Sequence, residues 1–430
     1  MTTPLLAGAA KTNITPPIGT HMGGFGARVD GAKGVHDTLW AKALVLRNDD
    51  TAVALVACDL LGLTADVIRP AREAIAAQLG VPVEHVMVTC SHTHSGPDSL
   101  CLNTDVPSPD YFALVTKQIA SAAELAAGQL RPARVGWGRG QADGISINRR
   151  TFEKGPLDTE VGVLRVEDED QRPLALVVNF ACHPVTLGGN NLLFCADYPG
   201  YAMNLLEQAD PGCVALFTNG AFGNVNTGHS AGFKVGDLGE RTFARARALG
   251  HMLAGEAIKV HNAIQCAPDS TLAGQTRALN LPTRPVPDAD WPALEAKVAD
   301  ALKVIQDASL PQAERVSAKS RALYDYELLR LRESLPPALD TEASVLRIGN
   351  GVLAGQPAEY FIEYQIALKQ ASPHAFTFLA GLANDWVGYV PTLDAFDEGG
   401  YETKLCRWSK LVPECGDTIF DALVELVKAV

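Results

Sequence analysis

The sequence lacks the features that would tie it to nucleic acid, to a bilayer or to a disulfide framework. Basic residues are in the minority: 36 Lys and Arg stand against 49 Asp and Glu, a formal charge of −13. That balance argues against binding to a phosphate backbone or an anionic membrane surface. No apolar run approaches the roughly 20 residues of a spanning helix. The opening residues, MTTPLLAGAAKTNITPP, contain neither a basic n-region nor a usable apolar h-region. No secretory leader is expected, and a cytoplasmic protein without stable membrane association is the expectation. Nine cysteines, an odd number, occur without a single C-x-x-C. Cys58, Cys90, Cys182 and Cys195 lie in apolar runs and read as small buried hydrophobes of a reducing compartment. H-E-x-x-H and G-x-S-x-G are also missing, which argues against a zincin helix and an α/β-hydrolase elbow. The glycine-rich GGFGARVDG does not open a helix after a strand, so it reads as a turn-rich loop and not as a phosphate cradle.

What is present suits a large α/β enzyme. Apolar residues make up 47% of the 430 and charged residues 20%, ample for a buried core. Short apolar runs at 52–58, 85–90, 174–181, 213–217 and 376–379 read as buried strands. Between them, 65–79 has a helical pattern interrupted by Pro70 and ended by Gly80; 111–128, 201–208 and 242–260 also read as helical. Alternation of the two signals predicts a single large α/β domain over 1–430, its mixed central sheet flanked by helices and its site at the strand C-terminal ends. Residues 282–337 are charged and helix-prone between proline-rich flanks, which predicts a helical hairpin inserted in that domain.

One pattern recurs. TAVALVACD ends in Asp59, HVMVTCSHTH in His92 and His94, LALVVNFACHP in His183 and CVALFTNG in Asn219. Ligands bind beyond the carboxyl ends of strands in such sheets, so polar residues at four strand ends predict one convergent site. His92 and His94 stand at i and i+2, which on an extended segment turns both rings to one face. Two imidazoles and a carboxylate leave an open position on zinc for water. His92 and His183 can supply the imidazoles; Asp59, Asp197 and Glu359 each can supply the carboxylate, and spacing does not choose among them. Asp59 can instead fix an imidazole tautomer by accepting its N–H. The H-x-H-x-D-H pattern fails, because Gly96 and Pro97 follow the pair.

SHTHSGP at 91–97, GVHDTLWAKALVL at 34–46, NR at 148–149, GQPAEYF at 355–361 and GLANDWVGYVPT with the later GGYE, within 381–402, resemble the neutral (non-lysosomal) ceramidases. The resemblance covers scattered blocks from about residue 7 to 405. It implies one zinc ion held by His92, His183, Glu359 and Tyr389, and hydrolysis of an N-acyl amide. It assigns His94 to proton transfer beside the metal, with Arg149 and Tyr401 as donors to the developing oxyanion. His21, His36, His85, His229, His251, His261 and His374 are expected to be structural or solvated.

Two departures modify what the resemblance implies. The family's serine-bearing block reads GNVNTG here, with Asn226 where the serine would be; Asn226 and Asp197 are then expected to touch substrate, and attack by activated water is favoured over a serine nucleophile. The family's C-terminal immunoglobulin-like domain has no counterpart in the 430 residues. The expectation is a small soluble substrate other than ceramide, with a glycosidase or an ester or lactone hydrolase as the alternative on the same scaffold. A metal-stabilised binding protein without catalysis is a further alternative. Whether a second ion uses Asp59 or Asp197 stays open.

Overall fold

The unbroken apolar runs belong to strands covered on both faces. In the computed structural model, which describes residues 4–103, 108–151, 155–228 and 241–430, eight strands form one mixed sheet. Their order is Val214–Asn219, Pro173–Phe180, Glu160–Asp168, Arg131–Gln141, Leu6–Asn13, Trp40–Arg47, Ala52–Cys58 and Val86–Cys90. Pairing is antiparallel through the middle and parallel at the two ends. Parallel neighbours need a crossover, and helices supply it: Ala65–Leu79 joins one terminal pair and Asp197–Ala209 the other. Every residue of Ala52–Cys58 and Val86–Cys90 is buried, which is why neither alternates in polarity.

A second sheet of four strands packs against the first, in the order Leu272–Pro282, Ala338–Ile348, Gly351–Gly355 and Phe376–Ala380. The apolar layer between the sheets joins Leu55, Trp137, Leu164 and Val177 to Leu346, Leu353 and Phe378. Helices close the outer faces. Ala65–Leu79 and Pro109–Ala127 cover Val56 and Val88; Asp197–Ala209, Phe243–Ala263 and Cys415–Ala429 bury their apolar stripes in a further cluster that holds Val163, Val178 and Val345. The fold is thus α/β with a large mixed sheet flanked by helices, as expected, with a smaller sheet added to it.

Ala65–Leu79 runs unbroken through Pro70, where the sequence pattern predicts an interruption. The proline is exposed on the solvent side, so the helix forfeits one backbone bond without a buried clash. It stops at Gly80, whose φ of 69° lets its N–H reach back to the carbonyls of Ala76 and Ala77. Two further helices, Trp291–Gln306 and Gln312–Ser334, rise between the antiparallel strands Leu272–Pro282 and Ala338–Ile348. Among the described residues no helix is long and apolar enough to cross a membrane.

Candidate metal centre

Two strands end side by side and turn imidazoles inward, and a third ends beside them in Asn219. The strand Val86–Cys90 stops before the histidines, and Ser91 and His92 donate their N–H groups to the carbonyls of Cys58 and Leu60, both at 2.9 Å. His92 has φ of 70°, a left-handed conformation uncommon for a residue with a side chain. His92 and His94 therefore do not face the site through strand alternation, as the i, i+2 spacing predicts. A tight turn after the strand brings them together, with ring centroids 4.9 Å apart. His183 follows the strand Pro173–Phe180 and is held by its N–H to Val225 O at 3.0 Å. Asn219 braces these ends: its amide donates to Ser91 O and Cys182 O and its carbonyl accepts from Cys182 N, each at 3.1 Å.

The oxygen donors come from a separate device. The short strands Ala358–Tyr360 and Gly388–Val390 run parallel, with Glu359 directly opposite Tyr389, so both side chains leave the same face of the ladder. Nε2 of His92 and Nε2 of His183 each lie 3.2 Å from Glu359 Oε2. Tyr389 Oη lies 3.2 Å from His183 Nε2. The opposite ring nitrogens face carbonyls: His92 Nδ1 that of Leu61 at 2.5 Å and His183 Nδ1 that of Phe222 at 2.7 Å. A carbonyl only accepts, so Nδ1 carries the proton in both rings and both Nε2 lone pairs point to the shared centre. Two imidazole nitrogens, a carboxylate oxygen and a phenol oxygen converging in this way fit a zinc ion. The Nε2 and Nδ1 set of His92, His94 and His183 also offers one nitrogen each within 4.8 Å of the others.

Electrostatics agree with that donor set. Burial alone would raise the Glu359 carboxyl, but the His92 and His183 imidazoles outweigh it and hold it well below the usual range. Burial, then the Arg149 charge, pushes His183 down to about 3, so its ring is neutral and available as a ligand. Burial first and then the Glu359 charge raise the Tyr389 phenol far above its ordinary value. Burial opposes the Arg149 charge, yet Tyr401, Tyr389 and Glu402 around it raise its pKa further. Arg149 Nη2 donates to Tyr389 Oη at 3.1 Å and to Gly223 O, while its Nε faces Glu402 Oε1 at 3.2 Å. Tyr401 Oη lies 3.2 Å from Tyr389 Oη. Both ring nitrogens of His94 are buried without a hydrogen-bond partner among the described residues.

These groups floor a cavity of about 450 Å³ whose walls include Phe25, Leu61, Leu100, Leu323 and Trp408. Asn226 and Arg149 also line it. Gly24 lines the same cavity and packs against His94, where an added Cβ would stand 2.6 Å from the ring.

Two candidates lie elsewhere. Asp197, expected to touch substrate, is fully buried, and its carboxylate accepts from the backbone N–H groups of Tyr198 at 2.7 Å and Leu187 at 3.3 Å. It anchors the start of the helix Asp197–Ala209 and is absent from the cavity wall. Asp59 accepts from Trp40 N at 3.0 Å and meets neither imidazole, so Glu359 is the carboxylate at the centre. His229 lies outside the described residues. Two residues escaped the sequence reading. Trp386 donates its indole N–H to Glu359 Oε1 at 3.1 Å, and a buried tryptophan in the quoted GLANDWVGYV block is itself a signal that its N–H needs a partner. Glu402, with no exposed surface, receives both Arg149 and Arg150; its place beside Tyr401 was the only hint.

Residues 5–240 match the family described as neutral/alkaline non-lysosomal ceramidase, N-terminal. Neutral ceramidase of Mycobacterium tuberculosis is 26% identical over 219 residues, 45% of this chain and 34% of that protein. Neutral ceramidase A of Dictyostelium discoideum is 29% identical over 167 residues, 34% of this chain and 23% of that protein. The matched stretches thus span about a third or less of these relatives. The crystal structure of neutral ceramidase from Pseudomonas aeruginosa superposes with a TM-score of 0.75 at 20% identity, covering 100% of this chain and 75% of that one. A ceramidase complexed with C2 superposes with the same score at 18% identity. These likenesses show a shared fold.

Proposed function

The chain belongs to the neutral/alkaline non-lysosomal ceramidase family, and from that membership we propose that it is a zinc-dependent hydrolase cleaving the amide bond of a small N-acyl substrate. The observation that carries this reading is the convergence of His92 Nε2, His183 Nε2, Glu359 Oε2 and Tyr389 Oη on one centre beside an apolar cavity. When bound there, zinc supplies Lewis acidity, polarising an amide carbonyl and lowering the pKa of water toward 7.

The chain's own residues do the rest. His94, with both ring nitrogens unpartnered at the cavity, accepts a proton from the attacking water. The water oxygen bonds to the carbonyl carbon. Arg149 and Tyr401 donate to the carbonyl oxygen as it gains charge, each such donor lowering the barrier by about 3 kcal/mol. His94 then gives its proton to the amide nitrogen as the C–N bond breaks, leaving a carboxylic acid and an amine. Asn226 lines the same cavity and is assigned to a polar group of the substrate. Phe25, Leu61, Leu100 and Leu323 receive the acyl arm. A cavity of about 450 Å³ suits a ligand of drug size, which supports a shorter N-acyl compound over a two-chain lipid such as ceramide. Cys58, Cys90, Cys182 and Cys195 are buried free thiols, which supports a reducing, cytoplasmic setting.

A panel of N-acyl amides, esters, lactones, glycosides and ceramide, assayed with and without a zinc chelator, tests the proposal. Hydrolysis of short-chain amides that chelation abolishes and zinc restores is the expected result. Turnover confined to glycosides, or unaffected by chelation, would contradict it.

A further inference from the structure

A second cluster of metal-type donors backs onto the loop that carries His92 and His94, where Cys195 N donates to Ser95 O at 3.0 Å and Cys195 O accepts from Thr93 Oγ1 at 2.7 Å. The short strands Gly34–Val35 and Leu193–Phe194 pair in parallel, and just past them His36 and Asp37 both donate their N–H groups to Phe194 O, at 2.9 and 3.1 Å. That bond pair brings two residues of one segment against Cys195 of the other. His36 Nδ1 lies 2.8 Å from Asp37 Oδ1, and Cys195 Sγ lies 2.8 Å from Asp37 Oδ2. One donor atom from each of the three falls within 4.8 Å of the others. The ring of His36 is fixed by stacking on Phe243, with centroids 3.9 Å apart and planes 4° from parallel. The sulfur accepts a third contact, from the N–H of Asp197 at 3.2 Å; the left-handed φ of 54° at Asp197 accompanies that contact. Burial and then the Asp37 and Asp197 carboxylates push the Cys195 thiol well above its ordinary value, and the Asp197 N–H only partly opposes them; a bound divalent cation supplies the charge that deprotonates a coordinating thiol.

We propose that His36, Asp37 and Cys195 form a second metal site for a zinc-type divalent cation, separate from the His92 centre. One nitrogen, one carboxylate oxygen and one sulfur are the ligand types zinc takes, with a fourth position left for solvent. Magnesium and calcium prefer all-oxygen sets and do not suit it. Access is open, because the side chains of His36 and Asp37 keep 32% and 17% of their exposure. The ion takes the place of the hydrogens now shared with the carboxylate: the thiol proton leaves to solvent, and the imidazole proton moves from Nδ1 to Nε2, where Tyr201 Oη lies 3.4 Å away.

The test uses the full chain, stripped with chelator, re-equilibrated with zinc and measured by elemental analysis. Wild type is expected to retain one more zinc per chain than His36→Ala and Cys195→Ser, with both variants keeping their folded spectrum. Cobalt replacing zinc is expected to give wild type a thiolate-to-cobalt charge-transfer band that Cys195→Ser lacks. The His92 centre has no sulfur donor, so the band reports this site alone, whether or not a substrate is ever found. Equal zinc content in wild type and both variants, or cobalt bound without a thiolate band, would overturn the proposal.

Discussion

Replacing Trp386 by Phe isolates the hydrogen bond that orients Glu359. The indole N–H sits 3.1 Å from Glu359 Oε1, leaving Oε2 to face both imidazoles. Phenylalanine keeps an aromatic face for the Lys410 ammonium, which lies 4.6 Å from the Trp386 ring centre, and removes only the donor and part of the volume. A hydrogen bond to a charged carboxylate contributes about 1.5–3 kcal/mol, and loss of a group that orients a metal ligand weakens affinity about 10–100-fold. The two ranges agree, since tenfold is about 1.4 kcal/mol. Zinc affinity measured by competition with a chromogenic chelator, in the His36→Ala background so that only the His92 centre is read, should fall by that factor. Turnover at saturating zinc should change by less than about threefold, since the ligand set is retained. An unchanged zinc affinity would refute the orienting role. A fall in turnover at saturating zinc with affinity intact would move Trp386 from metal binding to catalysis.

Tyr401→Phe removes a hydroxyl 3.2 Å from Tyr389 Oη while leaving all four donor side chains in place; zinc content should be unchanged and turnover about a hundredfold lower, and equal turnover would contradict its assignment. Gly24→Ala drives a Cβ to 2.6 Å from the His94 ring at a φ of 88°, so turnover should drop at least about tenfold through misplaced proton transfer while bound zinc stays constant, as steady-state rates and elemental analysis would show. Asp59→Asn should change how stability depends on pH. Burial raises the Asp59 carboxyl from 3.8 to about 6, so the folded chain binds the extra proton. Wild type then has a stabilisation that is complete below the unfolded value and lost as pH rises through about 6. At 1.36 kcal/mol per unit, the asparagine variant should gain up to about 3 kcal/mol on wild type between pH 4 and 7 in urea unfolding; a gap that does not vary with pH would count against it.

Parts of this architecture were legible because burial leaves a simple trace. Ala52–Cys58 and Val86–Cys90 are covered on both faces, so their strands stand out as apolar runs. Arg131–Gln141 hid itself. Its sequence, RPARVGWGRGQ, spaces glycines like a turn, yet a Cβ at Gly138 would stand 2.8 Å from Val260 and Ile264, and the glycine is there to admit the helix Phe243–Ala263 and the residue that follows it. The second sheet was hidden for another reason: Leu272–Pro282 leaves much of its length partly or fully exposed, so its pattern is weak. At the site, His92 and His183 were readable as strand-end residues. Tyr389, and the choice of Glu359 among three candidate carboxylates, needed the family resemblance, because their meeting depends on two three-residue strands pairing across the sequence. Asp197 misled because a carboxylate just past an apolar run looks like a ligand, when its oxygens are taken up by backbone N–H groups at the start of a helix.

The most direct measurement is zinc content and N-acyl amide turnover determined together for wild type, His92→Ala and Glu359→Gln. The account predicts that each variant loses the zinc of the His92 centre and its turnover in step, while the fold persists by circular dichroism. A variant that hydrolyses the amide at the wild-type rate, or that keeps full zinc occupancy at that centre, would contradict it.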